Sequence, residues 1–235
     1  MITQGLETTH AITFVEGQTM QQIFNLIKKN PNIKQTVDEF DEEKILKLMN
    51  VEAKSLEGLV YADTYYFTKN TTDIELLKTA HSHLDKKLKL AWNHRQQNLP
   101  YDNQYEALIM ASIIEKEVVF YDEASEVSGV FVNRLNMGMP LQSDPTVIYG
   151  IKKFDGNIRK KDLRKDHPHN TYTRKELPPT PICIVSYQSI NAALNPAKTD
   201  ALYFVSMGNH RHKFSVTLEE HNKAVNIFQR KIKKK

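Results

Sequence analysis

The interval between apolar positions changes repeatedly along the chain, and those changes predict its elements. Ile12 to Val15 has strand character and is broken by Glu16-Gly17-Gln18. Met20, Ile23, Phe24 and Ile27 then fall three, one and three apart, the spacing of one helix face, with Thr19 placed as a cap. Asn30-Pro31 stops that helix. Phe40, Ile45, Leu46 and Met49 predict a second helix over 39–49, and Leu59–Tyr61 with Tyr65–Phe67 predict extended or strand structure. Together these form a βααβ unit of about 65 to 70 residues, near the lower size limit for independent folding.

After the break at Asn70-Thr71-Thr72, a long helix carries the stripe Ile74, Leu77, His81, Leu84, Leu88 and Trp92 as far as Asn98-Leu99-Pro100. Further helices are expected over 105–119 and 127–135, the second closed by Asn136-Met137-Gly138. In Leu141 to Gly150, Asp144 fits a helix N-cap, Pro145 the first helical position and Gly150 the exit. The charged stretch 152–168 reads as an exposed loop or a small insert. Leu177-Pro178-Pro179-Thr180-Pro181 must be extended, and 188–194 form a short helix. A hairpin follows over 202–206 and 212–216, and Thr217-Leu218-Glu219-Glu220 is a capping box opening the last helix. The expected class is α+β: a small unit over 1–69, a linking helix over 70–99 and a larger mixed α/β part over 100–235.

Composition narrows the function classes. At 235 residues and 40% hydrophobic, the chain can bury a real core and is not disordered. The lone Cys183 excludes an internal disulfide and a multi-cysteine zinc site. No apolar stretch is long enough to span a bilayer, and polar Thr3, Gln4, Glu7 and Thr8 near the start argue against a signal peptide. Net charge is +4, but Arg230, Lys231, Lys233, Lys234 and Lys235 supply five positive charges, so 27 basic residues face 28 acidic ones elsewhere. With the basic surplus confined to one tail, no nucleic-acid partner is expected.

Chemistry points first to Ala107–Val119, apolar almost all round for eight residues before Glu115-Lys116-Glu117. A carboxyl emerging there is poorly hydrated, so its pKa rises toward what a general acid requires. Glu115 shares a face with Leu108, Ala111, Val118 and Val119, and Glu117 has Met110, Ile113 and Ile114 on its side. The two lie about 200° apart around the helix and diverge, and periodicity does not choose between them. A plain reading, in which the run marks where the helix meets water, stands beside this one. Gln142, Ser143, Asp144, Thr146 and Tyr149, with Asn170, Thr171 and Tyr172, mix hydroxyls, amides and aromatic rings as a sugar site does. Three His-x-His pairs, at 81/83, 167/169 and 210/212, offer a competing metal site, with His210, His212 and His221 as its best ligand set. No His-Glu-x-x-His motif accompanies them, and none of these residues is assigned to a metal.

The motifs Ala111-Ser112-Ile113-Ile114-Glu115-Lys116-Glu117, Val130-Phe131-Val132-Asn133-Arg134-Leu135 and Gly138 to Gly150 strongly resemble the YceG-like family of endolytic murein transglycosylases. Asn170-Thr171-Tyr172, Leu177 to Ile182, Ala192 to Ala197, Leu202 to Val205, His212 to Ser215 and Glu220-His221-Asn222 follow in the same order. Upstream, Val15 to Thr19, Glu57-Gly58-Leu59 and Asp63-Thr64-Tyr65 resemble a LysM-like subdomain and its junction. The resemblance implies cleavage of the β-1,4 bond between N-acetylmuramic acid and N-acetylglucosamine, with 1,6-anhydromuramoyl ends and no cofactor. It assigns the acid to the first glutamate of the run, Glu115. It places Gln142, Ser143, Asp144, Thr146, Tyr149, Asn170, Thr171 and Tyr172 on the glycan, with Glu117, His212 and Asn222 behind them. It further implies peptidoglycan strands and penicillin-binding synthases as partners. The implied location is the extracytoplasmic, periplasmic face of the bacterial inner membrane, through an N-terminal anchor that this chain lacks. Ile184-Val185-Ser186 and Glu176 depart from the family's usual Asn-Pro-Gly and Gly. A glycan-binding module without turnover and a histidine-ligated metal hydrolase are the alternatives.

Overall fold

Thr9–Thr13 (β1) and Thr64–Thr68 (β2) pair antiparallel, Thr9 opposite Thr68 and Thr13 opposite Thr64. Side chains alternate across this ribbon, so Ile12, Tyr65 and Phe67 turn inward while Thr64 and Tyr66 face solvent. The structure, a computed structural model, describes residues 8–230. The opening residues before Thr8 and the basic tail from Lys231 onward lie outside the described residues.

Between the strands, Met20–Lys28 (α1) starts at a Thr19–Gln22 capping box and buries Met20, Ile23, Phe24 and Ile27. Glu42–Met49 (α2) begins three residues later than its apolar pattern predicts, because the Asp41 carboxylate accepts from the Lys44 N–H and fixes the start there. Asp73–Asn93 (α3) opens with a Thr72–Glu75 capping box and lays Ile74, Leu77, Leu84 and Leu88 on the core. Gln104–Glu117 (α4) is buried on every side from Ala107 to Glu115. Ala124–Asn136 (α5) and Tyr187–Leu194 (α8) pack against it. Gly129 in α5 allows a close approach, since a Cβ there would stand 2.6 Å from the Ala197 carbonyl oxygen.

Asp144–Tyr149 (α6) and Lys160–Arg164 (α7) lie between α5 and α8, with α7 falling inside the segment expected as an exposed loop or small insert. Ser143, not Asp144, occupies the N-cap position of α6, which leaves the Asp144 side chain free of capping. Tyr203–Ser206 (β3) and His212–Ser215 (β4) form the second antiparallel ribbon, followed by Leu218–Val225 (α9) behind its Thr217–Glu220 capping box. The fold is α+β, and one hydrophobic cluster runs without a gap from Ile12 to Leu194. No helix among the described residues is long and apolar enough to cross a membrane.

Both positions at which the chain departs from the pattern it resembles have a visible structural consequence. Glu176 adopts φ +71°, a left-handed conformation that glycine takes without steric cost. Ile184 exchanges backbone hydrogen bonds with the 17–18 turn, and Ser186 caps α8.

Candidate active site

Three consecutive side chains leave the last turn of α4 in three directions. Glu115 is buried: one carboxylate oxygen accepts from the Tyr121 hydroxyl at 2.7 Å, the other from the Ser186 N–H at 2.9 Å and its hydroxyl at 2.7 Å. Lys116 reaches across to the Gly17 carbonyl. Glu117 turns to the opposite side and accepts from the Ser143 hydroxyl at 2.5 Å.

Glu117 lines an open cavity of about 420 Å³, shared with Arg134, Gln142, Asp144, Tyr172, Tyr203 and His212. Burial of its carboxyl, reinforced by the nearby Asp144 charge, pushes it up from 4.5 to about 7; the Ser143 hydrogen bond and Arg134 pull the other way and lose. Glu117 is therefore held close to its titration point at neutral pH, on the wall of an open cavity. Glu115, the acid that the resemblance implies, lies outside this cavity. Both Glu115 oxygens are committed to the Tyr121 hydroxyl and the α8 N-terminus, and the residue does not line the cavity. Of the two glutamates, Glu117 is the one that faces the cavity.

The expected ligand-contacting residues separate into distinct groups. Gln142, Asp144 and Tyr172 line the cavity, with the Tyr172 hydroxyl donating to Asp144 at 2.5 Å. Burial and the Asp144 charge push the Tyr172 phenol well above its ordinary value. Gln142 sits at φ +53°, a strained conformation held by a backbone bond to the Thr171 carbonyl. Ser143, Thr146 and Thr171 are buried and bonded to one another, so they fix the turn before α6. Asn170 is fully buried and ties its own loop together through the Leu163 and Lys165 carbonyls. Tyr149 points away from this cavity and donates to Glu57 at 3.1 Å. His212 lines the cavity with its Nδ1 3.0 Å from Glu123, whereas Asn222 is exposed on α9 and does not line it.

Arg134 and Tyr203 belong to the cavity and were missed by the sequence reasoning. Arg134 donates to the Leu141 and Leu202 carbonyls at 2.8 and 2.7 Å while lying over the Tyr203 ring. An arginine ending the apolar α5 face of Val127, Val130 and Phe131 was the available signal. The His pairs do not converge: His210 meets the Phe120 ring, His212 meets Glu123, and His81 bonds the Leu59 carbonyl. Among the described residues, no group of three or more His, Cys, Asp or Glu is arranged to hold a metal ion. The Cys183 thiol is buried and pushed well up by that burial, so it is a poor nucleophile.

An α+β scaffold thus brings a near-neutral carboxyl, a second carboxylate and a phenol hydroxyl to the wall of one open cavity. A sequence profile of the YceG-like family matches residues 1–227, and the chain belongs to that family. It is 33% identical over 228 residues to an endolytic murein transglycosylase of Bacillus subtilis (strain 168), a match covering 95% of this chain and 63% of that protein. It is 34% identical over 157 residues to an endolytic murein transglycosylase of Streptococcus pneumoniae, covering 64% of this chain and 28% of that one. The chain thus spans less than two thirds of either relative. The crystal structure of a YceG-like protein from Listeria monocytogenes matches with a TM-score of 0.75 at 32% identity, over 91% of this chain and 75% of that one.

Proposed function

We propose that this chain carries the catalytic part of an endolytic peptidoglycan transglycosylase. It cleaves the β-1,4 bond between N-acetylmuramic acid and N-acetylglucosamine inside glycan strands, and so ends the growth of nascent strands. The observation that carries the reading is the Glu117 carboxyl, raised to about 7 on the wall of an open cavity.

Protonated Glu117 donates to the glycosidic oxygen as the muramoyl C1–O bond breaks. The positive charge that develops at C1 lies in a cavity lined by the Asp144 carboxylate, whose orientation Tyr172 fixes. The muramoyl 6-hydroxyl then attacks C1, and its proton passes to the Glu117 carboxylate. The ring closes to the 1,6-anhydro product, no water is consumed, and Glu117 ends protonated as it began. The Ser143 hydroxyl steadies the carboxylate between the two transfers.

Asp144 also favours a second reading. Two carboxyl groups in one cavity are the equipment of a glycoside hydrolase, in which water takes the place of the 6-hydroxyl. Digestion of purified murein in oxygen-18 water separates them by mass spectrometry. Anhydro-ended fragments without label support the transglycosylase; labelled reducing ends support the hydrolase; binding without products supports a recognition module. The same proposal takes residues 1–69 as the LysM-like unit, 70–99 as the linking helix and 100–235 as the catalytic part. It also includes action at the extracytoplasmic face of the bacterial inner membrane beside penicillin-binding synthases.

A further inference from the structure

A second cavity, of about 880 Å³, lies on the other side of α6, between that helix and the βααβ unit. The two cavities come within one residue of each other twice. Glu117 and Asp144 face the first, and their chain neighbours Lys116 and Pro145 face the second. The walls of the second are alkyl and aromatic, with Phe40, Ile148, Ile151 and Phe154 among them. Charges of both signs stand around them: Glu42 and Glu57, and Lys116 and Lys152. Glu57 is 4% exposed and accepts from the Met20 N–H at 3.0 Å and the Tyr149 hydroxyl at 3.1 Å. Burial holds its carboxyl up at about 7, and among the described residues no cation is ion-paired with it, so an incoming ammonium would be its cationic partner.

Beyond Thr19, Gln21, Gln22 and Tyr149, which add neutral polar groups, the walls are apolar or charged. They suit a short ligand that bears methyl groups, free carboxylates and an amine. In murein that description belongs to the stem peptide, a chain of alanine, glutamate and a diamino acid carried on the lactyl group of the muramoyl ring. Building on the proposed cleavage reaction, we propose that the cavity behind α6 seats the stem peptide of the strand whose glycosidic bond lies at Glu117. Reach permits it. A stem of about five residues extends roughly 17 Å, and a helix is about 10 Å across. The carboxylates of the stem then meet Lys116 and Lys152, its methyl groups meet Ile148 and Ile151, and its amine approaches Glu42 and Glu57.

The test has two arms. In the first, the methyl resonances of Ile148, Ile151 and Ile182 are followed by NMR as a synthetic stem peptide or a peptide-free murein disaccharide is added. Saturable shifts are expected with the peptide and none with the disaccharide. Combining Lys152→Glu with Phe154→Ala, both at exposed positions, is expected to weaken the peptide about tenfold. Silent methyl groups overturn the proposal, as do equal shifts from the bare disaccharide. In the second arm, cleavage of peptide-bearing strands is compared with cleavage of strands stripped by an amidase. A lower KM for peptide-bearing strands, lost in the double variant, supports the seat. Equal cleavage of both substrates removes the seat and leaves the transglycosylase reading standing. Methyl shifts without cleavage of either substrate leave the seat standing and remove the activity.

Discussion

Replacing Glu117 by Gln keeps its volume and a carbonyl oxygen for the Ser143 hydroxyl, and removes the transferable proton. A positioned general acid contributes on the order of 10²–10⁴ in rate, and here one group serves both proton transfers. The expected loss is therefore at the upper end, about 10⁴-fold or roughly 5 kcal/mol of barrier. Glu115→Gln is the control with the opposite signature. Its three accepted hydrogen bonds tie α4 to Tyr121 and Ser186, and a glutamine retains one oxygen for the Ser186 pair. Losing the charge from those bonds is expected to cost about 2 kcal/mol of stability, while turnover per folded molecule stays within about twofold. Anhydro-ended fragments released from murein, quantified by mass spectrometry beside a thermal melt, read both effects. In the parent protein, turnover should fall about tenfold per pH unit above pH 7, as Glu117 loses its proton. Near-normal turnover in Glu117→Gln, or abolished turnover in a fully folded Glu115→Gln, refutes this reasoning.

Two further outcomes follow from the same electrostatics. Asp144→Asn removes a charge that helps to hold Glu117 up, so the alkaline limb of the rate profile should move to lower pH along with a reduced kcat; an unmoved limb argues against the coupling. Glu57 binds its proton more tightly in the folded chain than in the unfolded one, because its carboxyl is raised from 4.5 to about 7. Its stabilising contribution, about 3 kcal/mol, is complete below pH 4.5 and fades as pH rises through 7. Denaturation midpoints from pH 5 to 8 should show that decline in the parent and lack this part of it in Glu57→Gln. Parallel curves would count against the buried carboxyl.

Local patterns in the chain identify most of the helices. The capping boxes at Thr19, Thr72 and Thr217 and the apolar stripes of α1 and α3 are written in neighbouring residues, and the structure places helices there. Elements fixed by distant partners were read less well. β1 lies at Thr9–Thr13 rather than Ile12–Val15 because pairing with Thr64–Thr68 sets its extent, and that register has no local signal. The short α7 has no apolar stripe, since its sequence is Lys-Lys-Asp-Leu-Arg. The same division explains the site. Helical spacing makes Glu115 and Glu117 diverge, and they do, but it does not say which direction holds solvent. That depends on Ser186, 71 residues from Glu115, and Ser143, 26 residues from Glu117. Glu57 was read only as part of a junction, although a lone acid within Leu56-Glu57-Gly58-Leu59-Val60 was a visible sign of a buried carboxyl.

The last turn of α4 works as a three-way anchor, with Glu115 fastened to α8, Lys116 to the turn at Gly17 and Glu117 to Ser143 before α6. One residue inserted or deleted within α4 before this run would rotate all three side chains by about 100°. Two of the three would then face a neighbour's partner and the third would face none of them, so point changes along α4 are repairable in a way that a change in its length is not.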